Sequence, residues 1–250
     1  MKILMGGLVL TPIARTILAN QDAGYNMFTQ AGSPATPSYL TLTINTGIRV
    51  FAITSGAFPS GSKIKIINNG AIYGSGGNGG NGGNASAGGV NSGSAGTAGG
   101  IALSLPSGLA LLEMDNTNGY ILGGGAGGTG GSSFWGGGGL GYTGGGGGGG
   151  GAGGGPGGNG GTIGTGSIAP ANGSASYLPH WNVSYWDEGF PSQFMEVGSG
   201  GAGGHDFYGD GAYGSNGGAY GTSGKAINLN GNSITWLGGN TAAQVKGAVS

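Results

Sequence analysis

Eight consecutive glycines, Gly144 to Gly151, followed by Ala152-Gly153-Gly154-Gly155-Pro156-Gly157-Gly158-Asn159-Gly160-Gly161, constrain this chain more than any other stretch. Glycine carries no side chain to bury and loses the most backbone freedom on ordering, so neither an α-helix nor a β-strand is favoured there. Two states remain for such a run: disorder, or a left-handed polyglycine II helix with a rise of about 3.1 Å per residue and no internal hydrogen bonds. In the second state every N–H and C=O points outward and must be met by a neighbouring chain. Backbones approach that closely only where glycine faces glycine, as at the collagen axis.

Such a helix requires a period of three, and the sequence keeps one. From Gly74 to Asn84, Ser75, Asn78, Asn81 and Asn84 share one register while glycine fills the other two. The same phase carries Gly93, Gly96 and Gly99, then Gly123, Ala126, Thr129 and Ser132, then Gly153, Pro156, Asn159 and Thr162. With 70 Gly and 9 Pro in 250 residues, composition alone points to low complexity. Against that stand 36% hydrophobic residues and a net charge of only -1, whereas disordered chains combine low hydrophobicity with high net charge. The expected fold is therefore a bundle, or sandwich, of polyglycine II helices, with short β-strand clamps at one end and loops at the other.

Several classes of partner are disfavoured at once. A net charge of -1 without a basic stripe lacks the electrostatic footprint of a nucleic-acid binder. The absence of cysteine removes disulfides and thiolate zinc sites. No apolar run reaches the roughly 18 to 20 residues of a membrane-spanning helix, so no membrane insertion is expected. The opening Met1 to Leu10 has the look of a signal peptide, but Pro12 and Arg15 interrupt it, which favours a retained, folded segment.

Residues 1–62 are the least glycine-rich and read as a small N-terminal β-rich module. Ile13 to Leu18 suits a helical turn or a short strand, and Tyr39-Leu40-Thr41-Leu42-Thr43-Ile44 and Ile48 to Ile53 read as strands. Asn45-Thr46-Gly47 between them is a candidate hairpin turn. Residues 63–250 hold a recurring unit. Lys63 to Ile67 alternates as a strand, Asn68-Asn69-Gly70 turns, and Ala71-Ile72-Tyr73 feeds the glycine tract at Gly74. The pattern returns 49 residues later: an apolar stretch from Leu103 to Met114 broken by Pro106, a turn at Asn116 to Gly119, then Tyr120-Ile121-Leu122 feeding Gly123. Ile227 to Gly231 with Ile234 and Trp236 reads as a third, looser copy. These apolar elements are expected to gather at one end and clamp the glycine helices in register.

Between the glycine tracts lie segments without strong periodicity, at approximately 84–92, 132–143, 163–197 and 205–213. The second holds Phe134, Trp135 and Tyr142. The third holds Tyr177, His180, Trp181, Tyr185, Trp186, Phe190 and Phe194, and the fourth Phe207 and Tyr208. Clustered aromatic residues among few charges have the composition of binding hot spots. They equally suit a local mini-core that orders a long loop. Both roles fit a display surface, and these residues are the expected receptor contacts.

Catalytic and metal motifs fail on their context. Gly-x-Gly-x-x-Gly recurs, but without a preceding strand, a following helix and a spaced acid it reflects composition. Asp187 and Glu188 are adjacent and lack a partner across a cleft. His180 and His205-Asp206 lack ligand spacing, and Gly200 to His205 puts histidine where a calcium-binding nonapeptide needs aspartate. No enzyme activity, metal or cofactor is expected.

The Ile66 to Gly80 entry, Ile-Ile-Asn-Asn-Gly-Ala-Ile-Tyr-Gly-Ser-Gly-Gly-Asn-Gly-Gly, together with long glycine runs broken by aromatic segments, resembles the glycine-rich adhesins at the tip of the long tail fibres of T-even-type bacteriophages. The resemblance implies a virion protein in which polyglycine II helices form a sandwich and the intervening segments are receptor-binding loops that set host range. It further implies two partners: the trimeric distal subunit of the long tail fibre, held through residues 1–62, and a bacterial outer-membrane protein of the porin class, bound through the loops. An ice-binding glycine-helix protein, or an extracellular structural protein, is the alternative reading.

Overall fold

The computed structural model describes residues 3–5, 8–84, 92–109, 111–125, 134–135, 142–143 and 224–250. In chain order these form β1 (Ile3–Met5), β2 (Leu8–Ile17), β3 (Tyr25–Asn26), α1 (Met27–Gln30), β4 (Ser38–Ile44), β5 (Arg49–Phe51) and β6 (Ile53–Thr54). There follow β7 (Lys63–Asn68), β8 (Ala71–Tyr73), β9 (Leu103–Ser104), β10 (Leu111–Asp115), β11 (Tyr120–Leu122), β12 (Phe134–Trp135), β13 (Tyr142–Thr143), β14 (Ile227–Asn228), β15 (Ile234–Gly238) and β16 (Val245–Lys246). The strands make a six-stranded sheet in the order β1-β2-β4-β7-β10-β15, a four-stranded sheet β16-β11-β8-β5, a second four-stranded sheet β14-β9-β6-β3, and the separate pair β12-β13.

Among the described strands, every pair apart from β1 with β2 and β12 with β13 is parallel. Parallel neighbours cannot be joined by a tight turn and need a long crossover. Here each crossover is a circuit of the molecule. The chain runs through β4, β5 and β6, then β7, β8 and β9, visiting the three larger sheets in turn. It does so again through β10, β11 and β14, and β15 and β16 begin the last circuit. The result is a three-walled β-prism whose rungs stack one upon another.

The expected bundle of polyglycine helices with strand clamps is therefore incorrect. The described body is almost entirely parallel β-sheet, with one short helix. The apolar segments are not clamps at the end of a glycine lattice; they pair with each other and are the body. Their side chains decide this. Burial alternates along β4 and β7, so one face of each points into the prism. In-register columns then run up each wall: Leu40, Ile64, Leu112 and Ile234 in the first; Val50, Ile72, Ile121 and Val245 in the second; Ile53, Leu103, Ile227 and Val249 in the third. Apart from Val249, which is 37% exposed, these columns belong to or pack against one hydrophobic core, in which Leu40, Ile64, Leu112, Ile72 and Leu103 are at most 1% exposed. Each such side chain contributes roughly 1.5 to 3 kcal/mol on burial, a contribution that glycine cannot make.

Three segments are placed differently from the sequence expectation. Asn45-Thr46-Gly47 does turn, with Gly47 at φ 79, but it is a corner between two walls and not a hairpin, because β4 and β5 lie in different sheets. The stretch from Leu103 to Met114 divides into β9 and β10, also in different walls, and the third copy divides likewise into β14 and β15.

One corner is built on buried asparagines. Asn68 and Asn116 are both 0% exposed, and the Asn68 amide donates to Asn116 Oδ1 at 2.7 Å and to the Tyr120 carbonyl at 3.0 Å. Asn116 passes the contact on, donating to the Gly239 carbonyl at 2.8 Å. Neutral amides can be buried because the corner satisfies them. Asn116→Ala removes one partner from Asn68 and leaves the Gly239 carbonyl without this donor. We expect a loss of about 1 to 3 kcal/mol of stability, read as a lowered urea midpoint; an unchanged midpoint would show that the corner does not depend on this side chain.

Candidate functional site

Two excursions interrupt the prism at the same corner. Residues 74–102 lie between β8 of the second wall and β9 of the third, and residues 123–226 lie between β11 and β14 one rung later. Every residue expected to contact a receptor belongs to the second excursion. Phe134 and Trp135 form β12, and Tyr142 lies in β13. The antiparallel register opposes Trp135 to Tyr142 and Phe134 to Thr143, so these three candidates share one short hairpin. Tyr177, His180, Trp181, Tyr185, Trp186, Phe190, Phe194, Phe207 and Tyr208 lie outside the described residues, as do the octaglycine run and the segments 163–197 and 205–213. Among the described residues no three metal-ligating side chains come together.

The base of the outgrowth is defined by backbone. Gly74 N donates to Leu122 O at 2.9 Å, and Gly77 N to Gly125 O at 2.8 Å, joining the two outgoing arms. Gly100 N donates to Ser75 O at 2.6 Å, Gly124 N to Gly100 O at 2.9 Å, and Gly224 N to Gly124 O at 2.8 Å, so outgoing and returning arms are tied together. Gly123 N reaches the Lys246 carbonyl at 2.8 Å, which fastens the second excursion to the last rung.

Beneath this base β8 and β11, neighbours in the second wall, end in Tyr73 and Leu122, both 0% exposed, with Phe51 and Tyr120 packed against them. The Phe51 and Tyr73 rings lie 5.4 Å apart. Tyr73 OH donates to Asp22 Oδ1 at 3.1 Å, and Arg49 grips the same carboxylate with Nε at 2.8 Å and Nη2 at 3.0 Å. The last residue before Gly74 is thereby anchored to the first two rungs. The Arg49 hydrogen bonds hold the Asp22 carboxyl below its usual range, with Tyr73 adding to the effect and partial burial opposing it. Burial, reinforced by the neighbouring carboxylate, pushes the Tyr73 phenol well above its ordinary value. Sequence reading missed this group, because its members are 27 and 51 residues apart and no local pattern joins them.

Over residues 13–249 the sequence matches the family of phage tail fibre adhesin Gp38. The chain belongs to that family. It is an attachment protein of the virion, located at the tip of the long tail fibre, where it serves host attachment and host range; it is not an enzyme. Among solved structures it is similar to the crystal structure of the gp37–gp38 adhesin tip complex of the bacteriophage S16 long tail fibre. The identity is 19%, the TM-score 0.50, and the match covers 99% of this chain and 85% of the other. That likeness concerns the fold. No curated protein matches the sequence. Family membership sets aside the ice-binding and matrix alternatives.

The depressed carboxyl gives the adhesin a defined acid sensitivity. Because the folded pKa of Asp22 lies below the unfolded value, its stabilisation is complete above about pH 4 and is lost as pH falls through the folded pKa. Asp22→Asn is therefore expected to be less stable than wild type at neutral pH, with the difference closing in acid. Chemical denaturation across pH 2 to 7, a range of about five units around ordinary carboxyl values, checks this; a gap that stays constant would refute the assignment.

Proposed function

We propose that the adhesin binds a bacterial outer-membrane protein of the porin class through the aromatic segments of its second excursion, and that residues 1–62 seat it on the trimeric distal subunit of the fibre. The observation that carries this reading is topological. All the aromatic residues singled out in the sequence fall between β11 and β14, in an insertion that the columns of the prism do not need. The hairpin of Phe134, Trp135 and Tyr142 belongs to 132–143; 163–197 and 205–213 of the same excursion, and 84–92 of the first, are the other segments assigned to recognition. Large aromatic side chains on a supported base contribute contact area at low ordering cost, and several fibres per virion add avidity.

The fibre end of the reading draws support from the first rung. Beyond the three residues that pair with β1, no described strand covers the outer side of β2, and Leu18, just past its end, is 70% exposed. Pro12, which lacks an N–H, suits such an edge. An uncovered strand edge with apolar neighbours is a surface that another β-chain can extend. The related S16 protein is known as a complex with gp37.

Replacing 163–197 with the corresponding segment of another family member is expected to change which host cells are bound, while co-purification with the distal fibre subunit and the melting temperature stay near wild type. Cells lacking porins should lose binding by the unmodified chain. Retention of the original host preference after the exchange would place recognition elsewhere.

A further inference from the structure

The corner between the second and third walls is turned on successive rungs by stretches of very different length. Register fixes the equivalent positions: Phe51, Tyr73, Leu122 and Lys246 leave the second wall, and Ile53, Leu103, Ile227 and Val249 enter the third. Ala52 alone joins Phe51 to Ile53, and Gly247 and Ala248 join the last pair; between these rungs stand residues 74–102 and 123–226. Hydrogen bonds show what replaces Ala52 there. Ala52 N donates to Tyr73 O at 2.9 Å, as Gly74 N does to Leu122 O at 2.9 Å and Gly123 N to Lys246 O at 2.8 Å. The Ala52 carbonyl accepts from Tyr25 N at 3.3 Å, as the Ala102 carbonyl does from Ile53 N at 2.8 Å and the Ala226 carbonyl from Leu103 N at 3.0 Å. The donor and the acceptor of one corner residue are thus parted, in each excursion, onto its first and its last residue.

We propose that each excursion is an insertion within a corner that one residue closes, and that the prism of β1–β11 and β14–β16, closed by two such residues, is the complete fibre-seating unit of the adhesin. A single closing residue has both of its backbone bonds waiting. Its N–H meets Leu122 O or Lys246 O, and its carbonyl meets Ile53 N or Leu103 N. Ala52 turns the corner at φ 43, a conformation that glycine takes without steric cost. Among the described residues the prism core takes nothing from the interior of either excursion, only the terminal Ala102 and Ala226. Residues 1–62 do not make such a unit by themselves. Their strands β4, β5 and β6 pair along one edge with β7, β8 and β9, and Leu40, Leu42 and Val50 share their core with Ile64, Ile66 and Ile72. A seat on the first rung therefore requires the later rungs, down to the strands that follow the second excursion. This part of the proposal rests on the reading that residues 1–62 meet the fibre.

The test closes one corner at a time in the full chain, co-expressed with the distal fibre subunit. Replacing 74–102 by one glycine, or separately 123–226 by one glycine, should leave the ladder amides of β7, β8, β10 and β11 as slow to exchange as in the unmodified chain, and both variants should co-purify with the subunit at the unmodified ratio. Proline in place of either closing glycine lacks the N–H that the corner needs and cannot take a positive φ, so it should lower the urea midpoint relative to glycine. Loss of ladder protection in either glycine variant, or a proline closure as stable as the glycine one, would overturn the insertion. A variant that keeps its ladder but no longer co-purifies would overturn the prism as the seat. The receptor reading fails separately: fibres carrying the 123–226 replacement would still adsorb to susceptible cells, although the corner had closed and the seat had held.

Discussion

Parallel pairing, one rung upon the next, is the interaction on which the rest of this adhesin depends. A parallel ladder forces each strand to wait a full circuit for its neighbour, so the chain must turn through three walls before Ile44 can meet Asn68 or Tyr73 can meet Leu122. Because the circuit is closed by hydrogen bonds to the rungs above and below, the stretch between two walls is free to lengthen. The corner after β8 and the corner after β11 exploit that freedom, one with residues 74–102 and the other with residues 123–226. Stacking holds their ends together whatever their length, since the inward columns fix both the departure point and the return.

The same geometry explains what could and could not be read from the sequence. Strands were legible where β-branched and apolar residues alternate, as in Lys63 to Ile67 and Tyr39 to Ile44. The recurrence at 49 residues was legible too, and it is the spacing of true ladder partners, Ala71 with Tyr120 and Tyr73 with Leu122. Partners, walls and handling of the corners were not legible. Alternation shows that a strand has an inner face but carries no label for the neighbour it will meet. Asn45 to Gly47 therefore suggested a hairpin although the next strand belongs to another wall. The fold class went wrong for a related reason. Glycine dominates the composition and suggested that glycine backbones make the body, yet burial energy resides in the minority of isoleucines, leucines and valines, and those residues pair with each other. The period of three around Ser75, Asn78 and Asn81 is present in the cross-arm hydrogen bonds, as an appendage to a β-prism.

Of the candidate site, the aromatic content of 132–143 was legible and its pairing was not: Trp135 opposite Tyr142 is a matter of register across an intervening loop. The supports were invisible. Asp22, Arg49 and Tyr73 come together only because the rungs on which they sit are stacked, and a single acid in a basic N-terminal segment gives no hint that it braces the base of a distant excursion. The glycines at the base were hidden by abundance, since nothing in a sequence with 70 of them marks the few whose missing Cβ is needed for four backbones to meet.

This division of labour bears on how such a protein can change its host. Substitutions in the columns of the prism cost cavity and transfer energy, and a side chain at Gly124 or Gly224 collides with carbonyls that cannot swing aside. Among the described residues the hairpin of β12 and β13 pairs with no wall of the prism. Residues there are free of the ladder that orders the prism. Stability is thus carried by aliphatic side chains and bare glycine backbone, and the recognition proposed for the second excursion falls to a different kind of residue, its aromatic side chains. A chain built this way can alter what it binds without renegotiating how it folds, provided that the arms at the base continue to meet without side chains between them.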